Sequence, residues 1–155
     1  MIILHHLYYI EIMFGYKIIN ANGRISYSFM RKEMEIWVKE NYIKFNSLYF
    51  DNILPPINSD LIIFEITNSK KIKSLGTSYN KKPYKIRINF RYDLPEIEFQ
   101  DTLLHEMIHI WQYIMGYKGG HGKSFKKKAK DINKYGWDIS TYYKNKLIEL
   151  KDAEP

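Results

Sequence analysis

The stretch Leu103-Leu104-His105-Glu106-Met107-Ile108-His109-Ile110-Trp111 constrains this chain more than any other. Residues four apart on a helix are surface neighbours, so His105 and His109 offer two imidazole nitrogens to one point, with Glu106 beside the first. This HExxH spacing is a signature of metal-assisted hydrolysis. Two nitrogens grip a zinc ion, and the carboxylate reaches water on the ion's open side. A lone His near an apolar face is ordinarily a satisfied core residue. A second His one turn on, with a carboxylate between, argues against that account here.

The flanks read as helix. Leu104, Met107, Ile108, Trp111, Ile114 and Met115 recur at three and four residues, and Gly116 supplies a stop. Asp93 followed three residues later by Glu96 predicts a capping box, with Pro95 in the first turn. Beyond Gly116 a glycine-rich loop carries His121, and Phe125, Ala129 and Ile132 then mark another helix that ends at Gly136. His121 at that helix entrance is the expected third ligand. The competing spacings fail: position 112 is Gln and 115 is Met, which breaks the metzincin pattern, and no Glu follows Glu106 until Glu149. Three neutral imidazoles leave a fourth position open for water, as hydrolysis needs.

Upstream, Met34, Trp37, Val38, Tyr42, Phe45, Leu48 and Tyr49 mark one face of an amphipathic helix from Arg31 to about Tyr49, and Leu54-Pro55-Pro56 turns the chain. Leu61 to Thr67 reads as a mostly buried strand. Leu75 to Tyr79 and Tyr84 to Phe90 read as two more, joined across Asn80-Lys81-Lys82-Pro83. Helix, strands, helix is an α+β order, with a short sheet between the first helix and the metal helix. Residues 1–29 are expected to be an extension, extended or hairpin-like, with an exposed His5-His6 pair. Residues 30–140 form the domain and 141–155 a tail.

The 155 residues suffice for one core without staples, and the absence of Cys excludes disulfides and any Cys-ligated zinc. No apolar run is long enough to cross a bilayer and no secretory signal is visible, so a cytoplasmic protein without membrane contact is expected. The net charge of +7 invites a nucleic-acid partner. A compositional origin competes: 20 Lys against 4 Arg and 24 Ile against 3 Ala are what AT-rich codons produce.

The chain resembles the SprT-like family of zinc metalloproteases, which includes Spartan-type proteases acting on DNA–protein crosslinks. The likeness lies in Phe45 to Pro55, Gly76-Thr77-Ser78-Tyr79, Lys85 to Asn89, Thr102 to His109 and Gly120-His121-Gly122-Lys123-Ser124-Phe125, over roughly residues 31–140. It implies a zincin-like core, Zn2+ held by His105, His109 and His121, Glu106 as catalytic acid/base, and a protein or peptide substrate. Many SprT-like proteins continue into a Cys-bearing zinc ribbon that serves DNA targeting, and these residues contain none.

The rival is a nucleic-acid-binding module whose metal is structural. Lys123, Lys126, Lys127, Lys128, Lys130 and Lys134 crowd one helix, with Tyr117, Tyr135 and Trp137 as stacking surfaces that favour single strands over duplex. A solvated helix face is the plainer account of those lysines. Glu106 separates the two functions, because a purely structural site needs no carboxylate beside its first ligand.

Overall fold

The structure, a computed structural model, describes residues 27–69, 71–90 and 94–140. The expected N-terminal extension, its His5-His6 pair and the tail from residue 141 fall almost wholly outside them. Helix α1 (Tyr27–Tyr49) begins a turn earlier than the apolar pattern suggests. Met34, Trp37, Val38, Tyr42 and Phe45 form its buried stripe. Leu48, expected on that stripe, is 58% exposed. By helical angle it stays on the side of Trp37, but it sits in the last turn, where Phe45 and Tyr49 make the contacts with Trp137.

The end of α1 is tied down by its own side chains. Asp51 and Asn52 take left-handed backbone conformations, which these residue types tolerate, and reverse the chain. Asn46, buried, then holds the returning segment by both ends of its amide. Nδ2 donates to the Leu54 carbonyl at 3.0 Å, and Oδ1 accepts from the Leu54 N–H at 3.2 Å. The Tyr42 hydroxyl donates to the Pro55 carbonyl at 2.7 Å.

Strands β1 (Ile62–Thr67), β2 (Gly76–Tyr79) and β3 (Tyr84–Asn89) form a sheet of order β1-β3-β2. β1 runs parallel to β3 with Ile62 opposite Tyr84, and β2 is antiparallel to β3 with Gly76 opposite Ile88. This register puts Ile62, Phe64, Ile66, Tyr84, Ile86, Ile88, Gly76 and Ser78 on one face. Expected to be mostly buried, β1 buries only Ile62 and Ile66, while Ile63 is 47% exposed. The reason is its place: an edge strand covered on one face alternates. Asn89, buried at the end of β3, accepts from the Ser69 N–H and donates to the Ser69 and Ile72 carbonyls, which fixes the crossover between β1 and β2.

Helix α2 (Glu96–Ile114) carries the HExxH stretch and helix α3 (Lys123–Asn133) follows the glycine loop. The sheet lies between α1 and α2 in chain order, and in space both helices cover the same sheet face. Tyr42 of α1 meets Phe64, α2 packs over Gly76, and the two helices touch through Trp37 and Phe99 and through Gln100 donating to Asn41. Among the described residues no side chain caps α2. The helix starts at Glu96 behind Pro95, which offers no side-chain cap, and Glu96 Oε1 accepts instead from the Trp37 indole at 3.1 Å. Asp93 lies outside the described residues. The expected stop at Gly116 is present as a Schellman motif, with Gly116 at φ 75° and the Tyr117 N–H on the Gln112 carbonyl. Among the described residues no helix is long and apolar enough to cross a membrane.

Asn46 generates a first prediction. In Asn46→Ala the buried Leu54 N–H and carbonyl both lose their partner, so stability should fall by about 2–3 kcal/mol in urea denaturation. A change under about 0.5 kcal/mol would mean that water or a shifted backbone satisfies both groups.

Candidate metal centre

Two turns of α2 place His105 and His109 over the same spot, and the glycine loop returns His121 to it. The three Nε2 atoms lie 3.2 Å (His105 to His109), 3.2 Å (His109 to His121) and 3.0 Å (His105 to His121) apart. A tetrahedral ion bound at about 2.0–2.1 Å separates its nitrogens by about 3.3 Å, so the spacing fits.

The tautomers fit as well. His105 Nδ1 donates to the Ser140 carbonyl at 2.8 Å, since a carbonyl only accepts. His109 Nδ1 lies 2.8 Å from Gln112 Oε1, and the Gln112 amide nitrogen donates to the Gly120 carbonyl at 3.0 Å and to Ser124 Oγ at 2.9 Å. Both Nδ1 atoms therefore carry the proton, and both Nε2 atoms turn bare lone pairs toward the centre. Two lone pairs at this distance cannot hydrogen-bond to each other. A cation between them can satisfy both, so these three side chains can hold a metal ion.

The surroundings favour neutral imidazoles. Burial, the neighbouring His109 and, more weakly, His121 pull His105 down to about 4 against the Ser140 carbonyl. Burial and His121 also lower His109 against Gln112, and burial lowers His121. Phe125, the first buried residue of α3, forms the apolar floor. Its ring centroid lies 4.7 Å from His105, 5.0 Å from His109 and 4.8 Å from His121.

Glu106 opens into the same cleft, of about 430 Å³, together with Gly76, Thr77 and Ser78 of β2 and Tyr113 of α2. It is 4% exposed. Burial pushes its carboxyl up to about 7, opposed by a hydrogen bond from the Ser78 hydroxyl and by the charge of Arg87. Gly76 allows the close approach: a Cβ there would lie 2.8 Å from Thr102 Cγ2 and 2.9 Å from Glu106 Cγ.

All four residues predicted from the motif meet here. The lysines gather elsewhere, on the outer side of α3, where Lys123, Lys126, Lys127, Lys130 and Lys134 are exposed. Lys128 differs. Its ammonium donates to the Tyr49 carbonyl at 2.8 Å and lies over Phe50 and Trp111, pinning α3 to the end of α1. Trp137 is likewise engaged, donating to the Tyr49 hydroxyl at 2.7 Å. Sequence reasoning missed Gln112, Ser140, Ser78 and the packing role of Gly76. The i, i+3 spacing from His109 was the available signal for Gln112. Ser140 acts through its backbone and leaves none.

Gly76 carries the second prediction. Thr102 is β-branched, buried and bonded to the Glu98 carbonyl at 2.8 Å, so it cannot yield to a new methyl group. Gly76→Ala should cost about 1–3 kcal/mol in thermal unfolding. An unchanged midpoint would mean that β2 moves off α2 freely.

No curated protein matches the chain. A family model described as the SprT-like family matches residues 38–146, from the middle of α1 to just past Ser140, which covers the sheet, the three imidazoles and Glu106. The chain belongs to the SprT-like family, whose domains are of metalloprotease type.

Proposed function

We propose that this protein is a zinc-dependent endopeptidase, with His105, His109 and His121 as metal ligands and Glu106 as general base. The observation that carries the reading is a buried carboxylate sharing one cleft with three converging imidazole nitrogens. Bound there, zinc would supply Lewis acidity toward a peptide carbonyl and a water of near-neutral pKa. Glu106 takes the proton of the attacking water and passes it to the departing amine as the C–N bond breaks. The Ser78 hydroxyl and Arg87 favour the ionised carboxylate that starts this cycle, and burial favours the protonated form that follows. Among the described residues no strand pairs with the outer edge of β2. β2 lines the cleft through Gly76, Thr77 and Ser78, so an extended peptide in the cleft would lie beside it.

The basic surface supports a second element of the proposal, a nucleic-acid partner, with proteins on DNA as the substrates. A cavity of about 660 Å³ lies on the other side of the glycine loop from the metal cleft. Trp111 and Tyr117, with ring centroids 5.2 Å apart, line it, and Lys118, Lys123 and Lys127 stand around it. Rings beside ammonium groups suit the stacked bases and phosphates of a single strand better than a duplex.

Elemental analysis and casein cleavage test the first element. Wild type should hold about one zinc per chain and His121→Ala should lose most of it. Glu106→Gln should keep the metal and lose hydrolysis at least about a hundredfold. Full activity in Glu106→Gln would rule the mechanism out. Fluorescence anisotropy across salt tests the second. Binding to single-stranded oligonucleotides should weaken steeply with salt and vanish in Lys123, Lys126, Lys127 to Glu, a variant that spares the structural Lys128. Absence of binding at low salt would leave those lysines a solvated face.

A further inference from the structure

Gln112 belongs to no part of the HExxH pattern, yet it touches two of the elements that build the site. It stands on α2 one turn past His109, with 0% of its surface exposed. Its amide nitrogen donates to the Gly120 carbonyl and to Ser124 Oγ, at 3.0 Å and 2.9 Å. The first of these partners only accepts, so the orientation of the amide is fixed. The oxygen must face His109 Nδ1, 2.8 Å away, and that nitrogen must donate. One end of the side chain thus sets the tautomer of His109, leaving Nε2 bare. The other end holds the carbonyl of the residue immediately before His121 and the hydroxyl in the first turn of α3.

We propose that Gln112 is a positioning residue that couples His109 to His121, orienting the first and drawing the loop of the second over the metal helix. The inference rests on the metal reading above and adds a residue to it. A buried apolar side chain of similar size would fill the same space without either effect. Polar partners of metal-bound imidazoles act on affinity because they fix ring orientation and raise basicity. Gln112 does this for one ring and also restrains the backbone of another, which otherwise rests on a glycine-flanked loop.

Two substitutions separate the two ends. Gln112→Leu removes both, and zinc affinity measured by chelator competition should fall about 10- to 100-fold while thermal unfolding of the metal-free protein shows a folded chain. Gln112→Glu retains an oxygen for His109 Nδ1 but has nothing to donate to the Gly120 carbonyl. His121 is then released, so adding His121→Ala should weaken zinc binding much less in the Gln112→Glu background than in wild type. The visible spectrum of the cobalt-substituted Gln112→Glu protein should also move toward that of His121→Ala. Zinc affinities within about threefold of wild type in the folded variants would overturn the proposal, as would additive effects in the His121→Ala cycle. If Gln112→Leu does not fold, the Gln112→Glu cycle decides alone. Wild type that binds no zinc would remove the metal reading and this inference together, whereas zinc in wild type with insensitive Gln112 variants would remove this inference only.

Discussion

Imidazole lone pairs aimed at one point repel each other, and the fold around His105, His109 and His121 is arranged to hold them there. Protonation is the usual relief for such a cluster. Here burial opposes it, most strongly at His105, where the value drops to about 4. An ion small enough for nitrogens 3.0–3.2 Å apart would relieve the repulsion instead. The restraints come from separate parts of the chain: α2 supplies two rings, the glycine loop the third, α3 the Phe125 floor, and the segment after α3 the Ser140 carbonyl. A metal that binds only this assembled arrangement would stabilise the fold as a whole, because the unfolded chain has no such site.

Much of this was legible in the sequence because it depends on local periodicity. Helical spacing reported the His105–His109 pair and the α1 stripe. Alternation reported β3, and glycines at 116 and 136 reported chain reversals that the structure places at positive φ. What failed depends on neighbours remote in the chain. The exposed face of β1 follows from its place at a sheet edge, and the apolar string Leu61-Ile62-Ile63-Phe64 gives no hint of that place. Glu96 reads as a capping-box partner until Trp37, 59 residues away, takes its carboxylate. Gln112 read only as a mismatch to another ligand pattern, because its partners sit on a loop whose path over α2 is not encoded by spacing.

The six lysines in and just after α3 show the same limit from another side. As a run they are equivalent, but on the helix Phe125, Ala129 and Ile132 face the core and divide them. Lys128 lies at the C-terminal end of α1, where free carbonyls carry partial negative charge and a cation is favoured. Its neighbours Lys126 and Lys127 are exposed and add to the long-range positive field. Charge counting along the chain assigns all of them one role, whereas the burial pattern assigns two.

The brevity of β2 bears on selectivity. Its four residues span about 13 Å, and Lys81 and Lys82 follow one residue beyond its end. A strand this short, with two cations close behind it, is a poor template for sheet growth. It is equally a filter on conformation. On the proposed peptidase reading, a segment already folded into a helix or a sheet could not lie extended beside so short a strand, so locally unfolded chain would be favoured over compact protein.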